Sequence, residues 1–439
     1  MRVLLVHPAR DDLIDRLVRL PPMGLACVAG ALRQAGHEVR LLDAAVLPRW
    51  AENFDEALKR WRPQVVGITA STAHMAPARE LATRVKEADP HSSVVLGGVH
   101  PTLFPQEVAE AGGVDFAVHG EGELTAVELV AALADSGPLA RIAGIAYRDG
   151  GQTRINSPRV PVANLDDLPR PAYDLLPMDQ YSTPFSAPGH VISMVTSRGC
   201  SYRCAFCDAF VVLGRRYRAH SAERVVAEIH HLVREFGIRE VLFKDSEFTL
   251  SRSRVERFCD LMVAEGPPVT WTCSARVNCV DPPLLGKMAA AGCRVIQFGV
   301  ESADPAVLEL LNKKVTLDKV REAFHAARAA GIDTVANLMV GSPGETWDSI
   351  VATERFVREI RPGHLNIQAL EVYPGTELYE TLGGRNPVDA AQARRRRRRL
   401  LRSFYLRPRR ILERVFTLKA RHWQQNMAAA AQMVGVGRG

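Results

Sequence analysis

Short runs of apolar residues, separated by stretches with helical spacing, set the strongest limit on how this chain can fold. In the first part of the sequence these runs cover residues 3–7, 38–42, 65–69, 94–98 and 116–118. Helical spacing separates them, most clearly over 21–36 and 76–88. Strands that are apolar throughout are buried on both faces, which is typical of parallel strands covered by helices. The sequence therefore predicts a doubly wound, Rossmann-like α/β domain over residues 1–150.

A second series of strands and helices follows residue 190. Six apolar runs are predicted as strands, at 191–196, 240–243, 269–275, 295–300, 334–340 and 364–372. Helices fit between them, for example at 222–236 and 347–359. Because eight such units close a TIM barrel, six units predict a partial, TIM-like (β/α)6 barrel over residues 191–384.

Two segments lie outside these predicted domains. Residues 151–190 contain seven prolines and little periodicity, which predicts a linker that is ordered by its contacts. Residues 385–439 are predicted as a basic helical extension, with six consecutive arginines at 394–399. We interpret this extension as a solvated helical cap on the barrel. Contact with an anionic membrane or an acidic partner is the alternative.

The net charge of +7 is concentrated near the end of the sequence. Residues 385–439 carry 15 lysines and arginines against two acidic residues, a local charge of +13, so that residues 1–384 carry a net charge of −6. A negatively charged body repels phosphate. This argues against nucleic-acid binding by the chain as a whole.

Neither a transmembrane segment nor a secretion signal is predicted. No apolar run approaches the ~20 residues needed to cross a bilayer, and the apolar stretch at residues 1–6 is too short for a signal peptide. Eight cysteines in 439 residues are too few for a disulfide framework. We therefore expect a cytoplasmic protein.

Three cysteines cluster just after the first strand of the second series. Cys200, Cys204 and Cys207 have the spacing C-x3-C-x2-C. Thiolates are the ligands of iron–sulfur clusters, and a cubane normally takes four. Three protein ligands leave one iron open to a substrate or cofactor, as catalytic zinc sites keep one open position. The alternatives are a structural zinc site, with His220 as the nearest fourth ligand, and three unliganded thiols.

This motif resembles the hallmark C-x3-C-x-aromatic-C of the radical S-adenosylmethionine (radical SAM) superfamily, with Phe206 in the aromatic position. Four further segments resemble that family and occur in the family's order, at 243–248, 298–302, 338–345 and 373–376. The resemblance implies a [4Fe-4S] cluster on the three cysteines, with SAM bound at the open iron.

The resemblance also implies which side chains bind SAM. They are Phe206, Asp245, Glu247, Glu301, Ser302, Gly341 and Pro343. Several of these residues have an alternative structural role. Asp245 and Glu247 are alternatively surface charges, and Glu301 is alternatively a salt-bridge partner. Gly341 is alternatively a turn residue with positive φ. Arg276 follows the third strand of this series and is a candidate for holding a carboxylate of SAM or substrate in a bidentate pair.

Polar loops follow three strands of the front domain, at the edge where a doubly wound sheet binds its ligand. They contain Thr69, Ser71, Gly97, Gly98, His100, Gly120 and Glu121. The order of these loops resembles the cobalamin-binding domain found in front of many radical SAM enzymes, which implies that these residues contact cobalamin. No G-x-G-x-x-G follows the first strand, and this disfavours a nicotinamide dinucleotide.

One motif of many cobalamin modules does not occur in this sequence. The missing motif is D-x-H-x-x-G, and in the modules that carry it the histidine ligates cobalt. Radical SAM members often lack the motif and hold cobalamin without a protein ligand. The alternatives are a scaffold that has lost the cofactor, and His100 and His119 as polar loop residues rather than ligands.

Taken together, the chain resembles the radical SAM enzymes with a cobalamin-binding domain, in particular the class B methyltransferases. The resemblance implies that a 5′-deoxyadenosyl radical abstracts hydrogen from a small metabolite, for cobalamin-dependent C-methylation in natural-product biosynthesis. A dehydratase, cyclase or rearranging enzyme of the same architecture, acting for example on an aminoglycoside, is the alternative. A non-catalytic metal-binding protein and a tRNA methylthiolase fit less well.

Such a reaction implies a small-molecule substrate and an external one-electron donor such as flavodoxin or ferredoxin. A partner enzyme in the same pathway is compatible with it, and no nucleic acid is expected.

Overall fold

The computed structural model describes residues 1–10, 18–183 and 189–407. Contacts between residues divide the chain into two units. The first comprises Met1–Thr183 with Val212–Gly214, and the second comprises Pro184–Val211 with Arg215–Gly439.

The first unit is built on a seven-stranded sheet. Its strands are β1 (Arg2–His7), β2 (Glu38–Asp43), β3 (Val65–Thr69), β4 (Ser93–Gly97), β5 (Phe116–Val118), β6 (Ile145–Asp149) and β7 (Gln152–Ile155). They lie in the order β2-β1-β3-β4-β5-β6-β7, and the first five are parallel. The chain crosses from one side of β1 to the other between β2 and β3. This is a doubly wound sheet whose switch point lies at the carboxyl ends of β1 and β3.

Helices cover both faces of this sheet. They are α1 (Met23–Gln34), α2 (Trp50–Glu56), α3 (Met75–Ala88), α4 (Val99–Leu103), α5 (Pro105–Ala109) and α6 (Gly122–Asp135). The side chains of β1 alternate between two cores: Leu4 and Val6 pack in the core that contains α3, whereas Val3 and Leu5 pack in the core that contains α1. Because both faces are buried, the strand is apolar at every position from Val3 to Val6.

The proline-rich segment differs from the predicted linker over residues 151–183. Strand β7 pairs antiparallel with β6 and completes the first sheet. Farther along, the backbone N–H of Ala172 donates to the carbonyl of Ala26 over 2.9 Å. A Cβ at Gly30 would lie 2.3 Å from the carbonyl oxygen of Arg170, so glycine is required where this segment crosses α1. The segment is therefore packed as part of the first unit.

The second unit contains a parallel sheet and a short antiparallel ribbon. The strands are β8 (Val191–Met194), β9 (Ser197–Arg198), β10 (Arg218–Ala219), β11 (Glu240–Phe243), β12 (Thr270–Ala275), β13 (Cys293–Glu301), β14 (Asp333–Val340) and β15 (His364–Ala369). The sheet has the order β8-β11-β12-β13-β14-β15, and β9 pairs with β10. Six parallel strands in chain order form the half-barrel that the sequence predicts.

Helices alternate with these strands. They are α7 (Ala209–Leu213), α8 (Ala222–Phe236), α9 (Arg252–Ala264), α10 (Pro282–Ala290), α11 (Pro305–Leu310), α12 (Leu317–Ala329), α13 (Trp347–Ile360), α14 (Glu377–Leu382) and α15 (Ala390–Tyr405). Side-chain caps fix where several of them begin: Ser221, Asp281 and Thr346 each accept a backbone N–H of the first turn. The caps thereby fix the lengths of loops that carry predicted site residues.

An aromatic cluster anchors the half-barrel beneath β11 and β12. The rings of Phe243, Phe248, Phe258 and Trp271 are all buried, with centroids 4.7 Å apart for Phe243 and Phe248 and 5.6 Å apart for Phe258 and Trp271. The indole N–H of Trp271 donates to the carbonyl of Ala291 over 2.8 Å, which satisfies its one polar atom. This packing holds the carboxyl end of β11 in place.

The arginine run lies on helix α15, which packs against β15. Leu400, Leu401 and Phe404 are buried, and the backbone N–H of Leu365 donates to the hydroxyl of Tyr405 over 3.2 Å. The rest of the predicted basic extension, residues 408–439, lies outside the described residues. None of the described helices combines the length and the apolar character needed to span a membrane.

Candidate functional site

The three predicted cluster ligands lie in an irregular loop that follows β8 and β9. Two backbone hydrogen bonds hold it: Ala205 N donates to Leu311 O over 2.9 Å, and Leu378 N donates to Ala205 O over 3.0 Å. The side-chain amide of Asn312 also donates to the carbonyl of Arg203 over 2.6 Å. The loop thus takes its shape from segments more than a hundred residues later in the chain.

The cysteines of this loop have the chemistry of metal ligands. All three are free thiols; Cys204 is buried, and Cys200 and Cys207 are half-buried. Burial raises the pKa of Cys200, and it raises the pKa of Cys207 to about 11. A buried thiol becomes a stable thiolate when it binds a metal cation. Three such thiolates in one loop fit an iron–sulfur cluster.

The arrangement does not fit a single zinc ion. Within residues 1–10, 18–183 and 189–407, no three histidine, cysteine or acidic side chains converge as ligands of one ion. Zinc requires ligands that converge on one point, so His220 does not complete a zinc site with the three cysteines. In a cubane each thiolate binds a different iron, and the donors can therefore be spread more widely.

Arg276 contacts the cysteine loop directly. Its Nη1 donates to the Sγ of Cys204 over 3.1 Å, and its Nη2 donates to the carbonyl of Lys313. The guanidinium carbon lies 3.8 Å from the centroid of the Tyr202 ring. The side chain is buried, and in the part of the chain that the structure describes its Nε has no hydrogen-bond partner. Arg276 therefore positions the loop, and the bidentate carboxylate contact predicted for it would compete with these bonds.

A buried ion pair joins the segment after α11 to the bulged end of β13. Lys313 Nζ lies 2.7 Å from Glu301 Oε1, and both side chains are at least 90% buried. A Cβ at Gly299 would lie 2.5 Å from that Nζ, so the glycine makes room for the pair. Glu301 has φ of +63°, which follows from the shift in strand register between Gly299 and Glu301. The salt-bridge role left open for Glu301 is present in the structure.

Phe206 packs beside this ion pair. Its ring centroid lies 5.9 Å from Lys313 Nζ, and the ring packs against the core around Ala205, Leu311 and Leu378. The aromatic position of the motif thus covers the charged pair and fixes the loop between its second and third cysteines.

Asp245 lies at the carboxyl end of β11 and is buried, not a surface charge. Its Oδ2 accepts from the hydroxyl of Thr196 over 2.6 Å, and its Oδ1 accepts from Ser197 N over 3.0 Å. Arg254 Nη2 donates in turn to Thr196 Oγ1 over 2.6 Å. Burial raises the pKa of Asp245, although the hydrogen bonds and Arg254 oppose that shift. The carboxylate thus ties β11 to the start of the cysteine loop.

Glu247 is also buried and lies close to the loop. Its Oε1 accepts from Thr249 N over 3.1 Å and from the Thr249 hydroxyl. Burial raises the pKa of Glu247, and the backbone and charge of Arg276 lower it. The charge of Glu247 also contributes to raising the pKa of Cys200. The structure therefore places this carboxylate near both Arg276 and the first cysteine.

The turn after β14 is held by helix α15. Gly341 has φ of +85°, a conformation that favours glycine, and its N–H donates to Glu345 Oε1 over 2.9 Å. Arg396 Nη1 lies 2.6 Å from the same oxygen. Pro343 lies in this turn, and the hydroxyl of Ser342 is buried with no hydrogen-bond partner within residues 1–10, 18–183 and 189–407. The turn thus offers an unsatisfied polar atom beside a fixed glycine.

Ser302 follows the bulge of β13 and is buried. Its Oγ accepts from Asp304 N over 3.1 Å, and Asp304 caps helix α11. Apart from Phe206, which lies in the cysteine loop, the predicted SAM-binding residues of the half-barrel therefore follow the carboxyl ends of β11, β12, β13 and β14, the end of the barrel where active sites are found.

The structure brings five predicted residues of the first unit together where β3 and β4 end: Thr69, Ser71, Gly97, Gly98 and His100. Ala70 N donates to Gly97 O over 2.8 Å, and His100 N donates to Ala70 O over 3.0 Å. Gly98 has φ of +106°, and a Cβ there would lie 2.9 Å from Thr69 Oγ1. Glycine is therefore required at Gly98, because a Cβ there would press against Thr69 and the backbone of Ala70.

Gly120 and Glu121 lie after β5, next along the same edge. Gly120 N donates to Thr102 Oγ1 over 3.0 Å, and Glu121 Oε2 accepts from Val162 N over 3.0 Å. His119 Nε2 and His100 Nε2 are buried and find no hydrogen-bond partner among the described residues, and burial lowers the pKa of both rings. His100 Nε2 lies 3.7 Å from Glu107 Oε1, beyond hydrogen-bond distance, so each ring keeps one buried nitrogen that makes no hydrogen bond to the described residues.

Two residues of the cysteine site were not predicted. The first is Tyr202, whose hydroxyl forms a hydrogen bond of 3.1 Å with the Sγ of Cys279 and whose ring stacks on Arg276. The second is Lys313, which contacts both Arg276 and Glu301. The position of Tyr202 inside the motif was a usable signal. No motif pointed to Lys313, because it reaches the site from the segment after α11, which carries no motif.

Both halves of the chain match known families. Residues 10–130 match the B12 binding domain and residues 194–357 match the Radical SAM superfamily. An uncharacterized methyltransferase from Pyrococcus horikoshii is 36% identical over 386 residues, which cover 87% of this chain and 83% of the relative. The anaerobic magnesium-protoporphyrin IX monomethyl ester cyclase of Cereibacter sphaeroides is 31% identical over 393 residues, covering 87% of this chain and 64% of the cyclase.

A solved structure has the same fold. TsrM from Kitasatospora setae, a radical SAM methyltransferase with cobalamin and a [4Fe-4S] cluster bound, superposes with a TM-score of 0.72 at 23% identity, covering 86% of this chain and 73% of TsrM. The predicted architecture, a doubly wound unit followed by a half-barrel, is thereby confirmed.

A three-cysteine loop at the mouth of a half-barrel, in one chain with a B12-type doubly wound sheet, defines an iron–sulfur enzyme that uses SAM and cobalamin. The chain belongs to the radical SAM enzymes that carry a B12-binding domain.

Proposed function

We propose that this enzyme transfers a methyl group of SAM, by way of cobalamin, to a carbon atom of a small molecule. One observation carries the proposal. The two cofactor domains lie in one chain that is 36% identical, over 87% of its length, to a relative named as a methyltransferase. When bound, the cluster with SAM supplies the radical that removes a hydrogen, and cobalamin supplies the methyl carrier.

The half-barrel residues divide into ligands and positioning residues. Cys200, Cys204 and Cys207 hold the cluster. Arg276 holds the loop by its bond to Cys204, and Asp245 holds the start of the loop through Thr196 and Ser197. The contacts supporting these roles are buried, so that each side chain keeps one orientation and water is excluded from it.

The remaining predicted residues form the SAM-binding surface in this proposal. Glu247 and Glu301 present carboxylates for polar groups of SAM, and Ser302, Gly341 and Pro343 line the strand ends beside them, with Phe206 behind. Glu301 is held by Lys313 and Gly341 by Glu345. Such fixed partners reduce the entropy lost on binding.

In this proposal cobalamin binds to the first unit, at the edge formed by the loops that follow β3, β4 and β5. The residues that form this edge are Thr69, Ser71, Gly97, Gly98, His100, Gly120 and Glu121. The support is that these residues lie in neighbouring loops at the carboxyl ends of parallel strands, the edge where a doubly wound sheet binds its ligand, within the part of the chain that matches the B12 binding domain.

A second candidate function is a radical rearrangement or ring closure without methyl transfer. The 31% identity to a cyclase over 393 residues favours it. Both candidates share the cysteine loop and SAM cleavage, and they differ in whether the product gains a carbon.

Product mass decides between the two candidates. The full chain, reconstituted anaerobically with iron, sulfide and cobalamin, is incubated with a chemical reductant, an extract of small metabolites, and either ordinary SAM or SAM with a trideuterated methyl group. We expect a product whose mass rises by one methylene and shifts further with the deuterated methyl group. A SAM-dependent product that gains no carbon would instead establish the second function. Absence of SAM cleavage would overturn both.

We further propose that a flavodoxin- or ferredoxin-type protein donates the electron, and that the enzyme works in the cytoplasm, where a reducing environment keeps the cluster thiols available. A natural-product pathway and a partner enzyme in it complete this proposal.

A further inference from the structure

The concave face of the half-barrel carries polar side chains that are not among the predicted site residues. Along β12, β13 and β14, buried positions alternate with partly exposed ones. The buried positions face the helices. Phe243 packs on Phe258 of α9 with ring centroids 5.6 Å apart, and Phe298 packs in the same way on a phenylalanine of α12. Successive side chains of a strand point to opposite faces, so the partly exposed positions form the concave face.

Three neighbouring positions of this face form a polar row. They are Lys244, which directly follows β11, Ser274 on β12 and Gln297 on β13. Ser274 is the register partner of Gln297. The register of β11 with β12 pairs Leu242 with Thr272, and the same register continued by two residues places Lys244 beside Ser274. Because neighbouring strands lie about 4.8 Å apart, one small molecule can contact all three side chains.

The row is accessible, and its polar groups are unused. Lys244 is exposed, and Ser274 and Gln297 are half-buried. Across the described ranges 1–10, 18–183 and 189–407, none of these three side chains makes a hydrogen bond or an ion pair. The carboxylate of Asp245, next in the chain, accepts instead from groups at the start of the cysteine loop. The ammonium of Lys244 is therefore available to an anion.

The polar character of this face is not that of a packed barrel interior. Barrel interiors are filled mainly by branched apolar side chains that pack on one another. Here the polar row continues onto the next two strands, where Asn366 Nδ2 of β15 donates to Asn337 Oδ1 of β14 over 2.9 Å. A few polar groups that converge on one surface fix the orientation of a bound ligand. The face thus fits a ligand that is rich in hydrogen-bonding groups.

The row lies one step below the groups that contact the cysteine loop. Ser274 is two residues before Arg276, whose guanidinium contacts that loop. Gln297 is two residues before Gly299, where a Cβ would lie 2.5 Å from Lys313 Nζ. Two residues of a strand span about 6.6 Å. A small molecule bound on the row is therefore close to the site where SAM is cleaved in the proposed function.

We propose that the row of Lys244, Ser274 and Gln297 binds the substrate, and that this substrate is a hydrophilic small molecule with an anionic group. Lys244 pairs with the anion, a carboxylate or a phosphate, while the Ser274 hydroxyl and the Gln297 amide bond to further polar groups. An apolar substrate would displace water from these side chains without replacing its hydrogen bonds, which costs free energy. The inference rests on the proposed function and names the class of its substrate.

The first test uses the unmodified full chain, reconstituted anaerobically with iron, sulfide and cobalamin, and supplied with a chemical reductant and SAM that carries a trideuterated methyl group. A metabolite extract is separated into an anionic water-soluble fraction, a neutral and cationic water-soluble fraction, and a fraction soluble in organic solvent. We expect a deuterated product from the anionic fraction. A deuterated product formed only from one of the other fractions would overturn the inference and leave methyl transfer standing.

Variants then locate the anion. Lys244→Met should lower the rate of product formation about tenfold when the anionic fraction is limiting, because a hydrogen bond to a charged group is lost. Lys244→Arg should restore most of that rate. Lys287→Met, which breaks an exposed ion pair with Asp260, is the matched control and should leave the rate unchanged. Should Lys244→Met fail to fold, Gln297→Leu on a different strand provides the same test.

Two results with the variants would contradict the assignment. An unchanged rate in folded Lys244→Met would show that the lysine does not bind substrate, and a loss of SAM affinity in calorimetry would assign it to SAM instead. Treating the anionic fraction with alkaline phosphatase distinguishes the two anions, since the treatment should abolish the product for a phosphate and keep it for a carboxylate. No deuterated product from any fraction would overturn the proposed function together with the inference.

Discussion

Arg276 and Cys204, 72 residues apart in the sequence, are joined by a hydrogen bond of 3.1 Å from the guanidinium to the cysteine sulfur. The guanidinium is always positively charged, and here it is buried, where charge acts more strongly than in water. A positive donor at a cluster thiolate stabilises the reduced, more negative state of the cluster.

The first prediction follows from that bond. Replacing Arg276 with Gln should lower the midpoint potential of the cluster by about 60 mV, which for one electron is a tenfold change in the equilibrium constant. Arg276→Lys keeps the charge and should give a smaller shift. A redox titration followed by electron paramagnetic resonance measures the potential. Arg252→Gln, at a half-exposed arginine on α9, is the control, and an unchanged potential in Arg276→Gln with full iron content would contradict the role.

The second prediction concerns the ligands. Cys204→Ala should remove the cluster, since two thiolates do not hold a cubane that needs at least three from the protein. Iron content and SAM cleavage should fall to background. Cys259→Ala, at a buried cysteine of α9, should retain both, although it leaves a small cavity. Cluster retention in Cys204→Ala would show that the loop is not the site.

The third prediction concerns the turn after β14. Glu345→Gln should weaken SAM binding about tenfold, or roughly 1.4 kcal/mol, because it removes the charged acceptor shared by Gly341 and Arg396. The free energy of unfolding should fall by about 2 kcal/mol. Calorimetric binding and urea unfolding measure these effects. Glu359→Gln, which breaks an exposed pair with Arg321, should change neither.

The fourth prediction is a loss of stability in mild acid. Burial lowers the pKa of His119 below its ordinary value of 6.5. The unfolded chain therefore binds a proton at His119 before the folded chain does, and stability that is complete above pH 6.5 is lost as the pH falls toward the lowered pKa. His119→Gln should flatten the dependence of the melting temperature on pH below 6.5. His91→Gln, at an exposed histidine, should not, and an unchanged slope in His119→Gln would contradict this origin.

The local pattern of apolar residues along the sequence was enough to predict most of the fold. The strands at 65–69 and 240–243 have the predicted bounds, and the parallel order follows from their apolar character. The hairpin of β6 and β7 was missed because its exposed residues, such as Arg148 and Arg154, hide the strand alternation. The turn at Asp149 and Gly150 was a signal that could have revealed it.

Pattern could not predict how the site is assembled. The cysteine spacing is local and therefore visible, whereas the partners of Arg276 and the ion pair of Lys313 depend on which strand ends meet in space. The acceptor of Arg276 lies 37 residues away, on a loop with no motif.

The most direct test of the central claim is a Mössbauer spectrum of the iron-57 reconstituted full chain, recorded without oxygen before and after adding SAM. The account predicts a [4Fe-4S] cluster in which one iron site changes its parameters on SAM addition while the sites held by Cys200, Cys204 and Cys207 do not. A cluster in which no iron site responds to SAM, or a protein that binds no iron at this loop, would contradict it.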